Sequence, residues 1–171
     1  MVKNTILLID DDENICKVIK LYLEKEGMDI HVAGNGKEGI DMFAQINPDL
    51  VLLDIKEFNL PHHQKLTGRS NEQTLHTAAW LEEHKRPFWL RYVLVPGYSD
   101  FEEDIRAMGQ QLGSYQMIQK VEILPYHTLG VHKYEAMKQE YLLKGIKENT
   151  PEQIEQAANL FKKYFKTVQI N

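Results

Sequence analysis

Two groups of carboxylates carry the chemistry that the sequence offers. Asp10-Asp11-Asp12 directly follows the apolar run Ile6-Leu7-Leu8-Ile9, and Asp54 directly follows Leu50-Val51-Leu52-Leu53. If both runs are buried parallel strands, both acidic groups emerge at the carboxyl edge of the sheet, where open α/β folds keep their ligand sites. Carboxylates gathered there repel one another and invite a hard divalent cation, with Mg²⁺ the natural candidate. An ionised Asp54 in such a site can also attack a phosphoryl group. The competing reading is that Asp10–Asp12 cap the helix that follows, a position that carboxylates suit equally.

The surrounding pattern supplies elements to hold these residues. After Ile6–Ile9, a helix with Ile15, Val18, Ile19, Tyr22 and Leu23 at helical spacing is expected to stop at Gly27. Asp29–Ala33 reads as a second strand, and the next helix presents Ile40, Phe43 and Ala44 on one face. Pro48-Asp49 then opens the strand that ends at Asp54, whose unbroken apolar run predicts burial on both faces. Such β-α-β-α-β alternation implies a parallel sheet with right-handed crossovers.

Downstream, Asn59–Gly68 is a polar loop with a short helical turn, and Ser70-Asn71-Glu72-Gln73 is a capping-box pattern. Phe88–Val95 reads as a strand, Ser99-Asp100-Phe101-Glu102 as a cap, and Ile105, Met108 and Leu112 as the inner face of the next helix. Val121–Leu124 is a strand, and 128–149 an irregular segment with one short helix near Tyr134–Lys138. Thr150-Pro151-Glu152-Gln153 starts a final helix, and Val168–Ile170 offers an edge strand.

The net charge of −5 hides an asymmetry: residues 1–54 carry −6 and residues 55–171 carry +1. Six of the seven histidines and both tryptophans also lie after Asp54. No basic stripe invites nucleic acid, and no apolar run approaches the roughly 20 residues a membrane span needs. The start Met-Val-Lys-Asn lacks a signal peptide's apolar segment. A single cysteine, Cys16, allows no internal disulfide and fits a reducing, cytoplasmic compartment. The histidines His62, His63, His127 and His132 read as solvated loop residues rather than zinc ligands, and Tyr92 as packing.

The stretch from Ile6 to Asp54 resembles the receiver domain of two-component response regulators. The resemblance rests on Ile-Leu-Leu-Ile-Asp-Asp-Asp, then Asn-Gly with Glu38-Gly39, then Pro-Asp-Leu-Val-Leu-Leu-Asp. It implies Asp54 as phospho-acceptor, Asp10 and Asp11 as the acidic pair that helps bind Mg²⁺, and a flavodoxin-like sheet of order 2-1-3-4-5. It ends at Asp54 or Ile55. The hydroxyl expected after the fourth strand is displaced to Ser99, and the fifth strand ends Leu124-Pro125-Tyr126-His127, without the receiver's lysine. Phosphorylation without an output is the most this pattern implies.

From about Asp49 onward the chain resembles the carboxy-terminal half of the pyruvate formate-lyase activating enzymes, radical S-adenosylmethionine proteins. The matching stretches include Asp-Leu-Val-Leu-Leu-Asp-Ile-Lys, Trp-Leu-Arg-Tyr-Val-Leu-Val-Pro-Gly-Tyr-Ser-Asp and Val-Glu-Ile-Leu-Pro-Tyr-His-Thr-Leu-Gly-Val-His-Lys-Tyr. By this resemblance Asp54 and Lys56 match an Asp-x-Lys motif, while Arg91 and His127 match residues near the cofactor. The family's 4Fe–4S cluster needs three thiolates, and this chain has one cysteine, so no iron–sulfur cluster and no radical chemistry are expected.

The two resemblances share the strand at 49–54, which places the junction inside it. The expectation is one three-layer, doubly wound α/β domain over 1–171, built from a receiver-like fragment 1–54 and an activase-like fragment 55–171. A sixth edge strand is allowed. The composition change and the lost catalytic parts point to a deliberate chimera without evolved activity. It is expected to be a monomer with no required cofactor, no partner, and at most residual Mg²⁺ binding and phosphoryl acceptance at Asp54.

Overall fold

The computed structural model describes residues 4–9, 13–34, 36–128 and 143–171. The predicted acidic turn Asp10–Asp12, Asn35, His132 and the short helix expected at Tyr134–Lys138 lie outside these residues. The chain divides into two compact units, Met1–Val51 and Leu52–Asn171.

The first unit runs β1 (Thr5–Ile9), α1 (Glu13–Lys25), β2 (Asp29–Ala33) and α2 (Gly36–Ile46). β1 and β2 pair in parallel, from Thr5 opposite Asp29 to Ile9 opposite Ala33. Gly27, at φ 84°, ends α1 as expected, with its N–H on the Glu24 carbonyl and the Met28 N–H on that of Leu23. Cys16, Ile30 and Ala33 are buried. Tyr22 is not: it is 67% exposed beside Leu21, so the apolar stripe read from the helical spacing is narrower than predicted.

The second unit holds β3 (Val51–Ile55, which begins at the boundary), α3 (Leu60–Thr67), α4 (Glu72–Glu83), β4 (Phe88–Leu94), α5 (Glu102–Leu112), β5 (Ile118–Pro125), α6 (Pro151–Phe161) and β6 (Val168–Ile170). Its sheet has the order β3-β4-β5-β6, with β4–β5 and β5–β6 parallel. The protein is thus α/β with parallel sheets. The expected order appears as its two segments, 2-1 and 3-4-5, with β6 as the added edge strand. Among the described residues the ladders form two sheets rather than one. On the β1 side, the Thr5 N–H donates to the Asp49 carboxylate at 2.7 Å, so this donor bonds to a side chain.

Strand alternation makes the core of the second unit. Phe88, Leu90, Tyr92 and Leu94 of β4 are all buried, as are Ile55, Val121 and Ile123. α6 packs on this face, the Phe161 ring meeting Tyr92 edge-on with centroids 5.2 Å apart. α6 has the predicted capping box: the Thr150 hydroxyl accepts from the Gln153 N–H, and the Gln153 side chain accepts from the Thr150 N–H at 2.8 Å. α5 lies against the segment after α6 so closely that a Cβ at Gly109 would stand 2.3 Å from the Tyr164 ring.

Three expectations are corrected. β3 is not buried on both faces, since Leu52 is 53% exposed and of its residues only Ile55 is fully in the core. The run of aliphatic residues hid a strand with one half-open face. Ser70–Gln73 forms no capping box: Asn71 holds the cap position without a side-chain cap, and its amide reaches back to the Glu57 and Phe58 carbonyls. At α5 the cap position falls to Phe101, and the Asp100 carboxylate accepts the Gly97 N–H at 2.7 Å instead.

Candidate functional site

β3 places Leu52, Asp54 and Lys56 on its half-open face, and β4 places Trp89, Arg91 and Val93 on the same side of the sheet. Lys56 Nζ donates to Asp54 Oδ2 at 2.8 Å, and Arg91 Nη1 lies 3.3 Å from Asp54 Oδ1. Arg91 stands opposite Glu122 of β5, and its Nε is 3.7 Å from Glu122 Oε2. Lys120 Nζ closes the series 2.7 Å from Glu122 Oε1 and sits over the Trp89 ring. The result is a row of alternating charge, Lys56, Asp54, Arg91, Glu122 and Lys120, crossing three strands. Alternation of this kind neutralises each charge locally, which lets Glu122 stay buried at 6% exposure.

The structure therefore brings Asp54, Lys56 and Arg91 together. It does not add His127, which lies exposed after β5 with no described contact to the row. Asp10 and Asp11 lie outside the described residues. Asp54 itself fits a divalent cation poorly, because each of its oxygens already faces a cationic side chain. Among the described residues, no group of three His, Cys, Asp or Glu could hold a metal ion.

A second constellation lies on the opposite, buried face and was not read from the sequence. Glu57, three residues past Asp54, is 0% exposed. Its Oε1 accepts the Phe58 and Asn59 N–H groups, the latter at 2.9 Å, and its Oε2 lies 3.1 Å from Tyr92 Oη. Tyr92 Oη is also 2.8 Å from the Ser99 carbonyl oxygen. Burial, aided by the nearby Asp104 carboxylate, raises the Glu57 carboxyl to about 7, against the lowering pull of the Asn59 and Phe58 N–H donors. Burial also holds the Tyr92 phenol well above its ordinary value, with the Glu57 charge adding to it.

α3 frames this pocket of buried polar groups. Asn59 caps it by accepting the His62 N–H at 3.2 Å. His62 Nδ1 lies 2.5 Å from Asp104 Oδ2, its ring tilted on Phe101. His63 is buried rather than solvated, with Nδ1 3.1 Å from the Glu57 carbonyl oxygen. Ser99, read as a displaced receiver hydroxyl, is a buried brace: its Oγ accepts the Val95 N–H and donates to the Val93 carbonyl, both at 2.7 Å. One signal was available, since strict alternation from the buried Ile55 puts Glu57 on the core side.

Comparison with known proteins finds two likenesses along the chain. The response regulator receiver domain family matches residues 6–68, so the match runs past Asp54, where the sequence pattern was expected to stop. The pyruvate formate-lyase-activating enzyme of Streptococcus mutans is 43% identical over 112 residues, covering 66% of this chain and 43% of that enzyme. The pyruvate formate-lyase 1-activating enzyme of Escherichia coli K12 is 39% identical over 125 residues, covering 73% of this chain and 50% of that enzyme. The chain thus spans about half the length of the curated relatives it matches. A crystal structure of a domain of pyruvate-formate lyase-activating enzyme from Bacteroides vulgatus superposes with a TM-score of 0.67, covering 99% of both chains at 17% identity, a likeness of fold. The chain joins a receiver-like amino-terminal segment to a segment similar to about half of a pyruvate formate-lyase-activating enzyme.

Proposed function

We propose that this chain is a chimeric βα scaffold without catalytic activity of its own, in which Asp54 serves as an electrostatic pin rather than as a phospho-acceptor. One observation carries the reading. Both Asp54 oxygens face cations supplied by the activase-like segment, Lys56 at 2.8 Å and Arg91 at 3.3 Å. To reach an Asp54 held this way, a phosphoryl donor or a divalent cation has to displace an existing ion pair. The single cysteine supports the absence of radical chemistry, because a cluster needs more thiolates than this chain has. A monomer that needs neither cofactor nor nucleic acid fits this reading, as does a cytoplasmic location. Among the described residues no helix is long and apolar enough to cross a membrane.

The receiver match over residues 6–68 favours a second reading, a phospho-acceptor of two-component signalling. Intact-mass analysis after incubation with acetyl phosphate and Mg²⁺, run beside Asp54→Asn, separates the two. The scaffold reading expects no adduct from a protein that still unfolds cooperatively. A single phosphoryl adduct that disappears in Asp54→Asn would establish the acceptor and overturn the pin.

A further inference from the structure

Hydrogen counting around Glu57 exposes a device that the charge row does not explain. Tyr92 carries one hydroxyl hydrogen, yet its oxygen lies 2.8 Å from the Ser99 carbonyl and 3.1 Å from Glu57 Oε2. A carbonyl oxygen can only accept. With Tyr92 committed to Ser99, the contact at Oε2 is a hydrogen bond only when the glutamic acid itself carries the proton and donates it to Tyr92 Oη. An ionised carboxylate accepts but cannot donate, so it competes for the single Tyr92 hydrogen. It then leaves the Ser99 carbonyl without that donor inside the protein.

We propose that Glu57 is a proton-operated latch. Protonated, it ties the 57–59 segment through Tyr92 to the Ser99 carbonyl; ionised, it claims the Tyr92 hydrogen and frees the Ser99 carbonyl and the peptide that follows it.

The surroundings suit this role. From β4 the carboxyl meets Tyr92, and from α5 and the turn before it come the acidic Asp104 and Asp100. From α3 come His63, on the Glu57 carbonyl, and His62, which pairs with Asp104. The neighbouring Lys56 is turned to Asp54. No described ion pair reaches the Glu57 carboxylate. A buried carboxylate without a cation, beside further acids, is disfavoured as an ion, and its raised value near 7 puts the change in the neutral range. Tyr92 keeps its own proton throughout, so its hydrogen is always available to one acceptor or the other.

The turn around the freed carbonyl is otherwise internally braced. The Tyr98 and Ser99 N–H groups both donate to the Val95 carbonyl at 3.0 Å, and the Gly97 N–H binds Asp100. Ser99 Oγ stays tied to the end of β4, so the change falls on the Ser99 carbonyl and the peptide that follows it. Lys65 of α3 lies over the Tyr98 ring at 5.0 Å, a second link between the turn and the helix that Glu57 helps to start.

Amide NMR on the full chain, from about pH 5 to about pH 9, spans the window in which such a carboxyl titrates. The Asn59, Ser99 and Asp100 amides are expected to move together with one midpoint near pH 7. Glu57→Gln mimics the protonated acid: its oxygen keeps the Phe58 and Asn59 donors, and its NH₂ donates to Tyr92. In that variant the three amides are expected to hold their low-pH positions throughout. In Tyr92→Phe, Asn59 should still titrate while Ser99 and Asp100 no longer follow. His62→Gln, which removes the imidazole paired with Asp104, is the control and should leave the transition in place. The latch is overturned if Ser99 and Asp100 titrate alike in the wild type and Glu57→Gln. It is also overturned if His62→Gln abolishes the transition, or if the wild type shows none. Should Glu57→Gln not fold, the wild type and Tyr92→Phe decide the question.

Discussion

Replacing Glu57 by Gln is expected to change the stability of the second unit in one direction only, and only above a certain pH. The folded carboxyl titrates near 7 against an ordinary 4.5, so between these values the folded state binds more protons than the unfolded chain. Stability then falls as pH rises through that window: the contribution is whole below the unfolded value and lost above the folded one. At about 1.4 kcal/mol per pKa unit, the shift sets a ceiling of about 3 kcal/mol on the loss. Glu57→Gln carries no titrating proton. Wild type and variant are therefore expected to match within about 1 kcal/mol near pH 4.5, the neutral acid and the amide making the same hydrogen bonds. The variant should be more stable by about 2–3 kcal/mol above about pH 8. Both tryptophans, Trp80 and Trp89, belong to the same unit as Glu57, so urea unfolding followed by their fluorescence reports on it directly. The quantity to plot is the difference between the two proteins against pH, which cancels whatever pH dependence they share. A difference that stays flat, or that favours the wild type as pH rises, would refute the reasoning.

Other perturbations separate packing from charge. Gly109→Ala places a methyl group 2.3 Å from the Tyr164 ring, and should cost about 1–3 kcal/mol, although Ala is the better helix former by nearly 1 kcal/mol. A lowered thermal midpoint checks it, and a raised one would show that the Tyr164 ring yields freely. Arg91→Met leaves Asp54 with Lys56 and Glu122 with Lys120, and Arg91 is one-third exposed, so its loss should cost no more than about 1 kcal/mol. That cost should shrink with added salt in urea titrations, and a salt-independent loss would mean that Arg91 acts through packing instead.

The elements were legible because their signals are local. Gly27 at positive φ, the Thr150–Gln153 capping box and the alternating β4 strand each depend on a few neighbouring residues, and each stands where the sequence put it. The row through Asp54 was legible in part: Lys56 and Arg91 were named for a cofactor, and they do meet at Asp54. Glu122 and Lys120 were missed, because only the register of β4 on β5 sets Glu122 opposite Arg91. The Glu57 constellation was the hardest. An acid three residues beyond a candidate nucleophile reads as loop polarity, and its partners Tyr92 and Ser99 lie 35 and 42 positions away. Ser70–Gln73 failed for the same reason, since the buried carbonyls of Glu57 and Phe58 claim Asn71 ahead of its own helix.

On the proposed reading, the counter-charges around Asp54 set the role of the shared strand. A receiver's acceptor needs acidic neighbours and a metal, whereas every described cation at Asp54 comes from the segment after the junction. The strand can satisfy both patterns because its backbone demand is common to them: an apolar stretch with one residue emerging at the carboxyl edge. The side chain at that edge carries no function on its own. Facing acids and a metal it is a nucleophile; in the role proposed here, Lys56 and Arg91 hold it as a pin between β3 and β4. The same rule holds three residues further on, on the buried face, where Glu57 meets acids and a tyrosine but no described cation, and its burial raises its proton affinity.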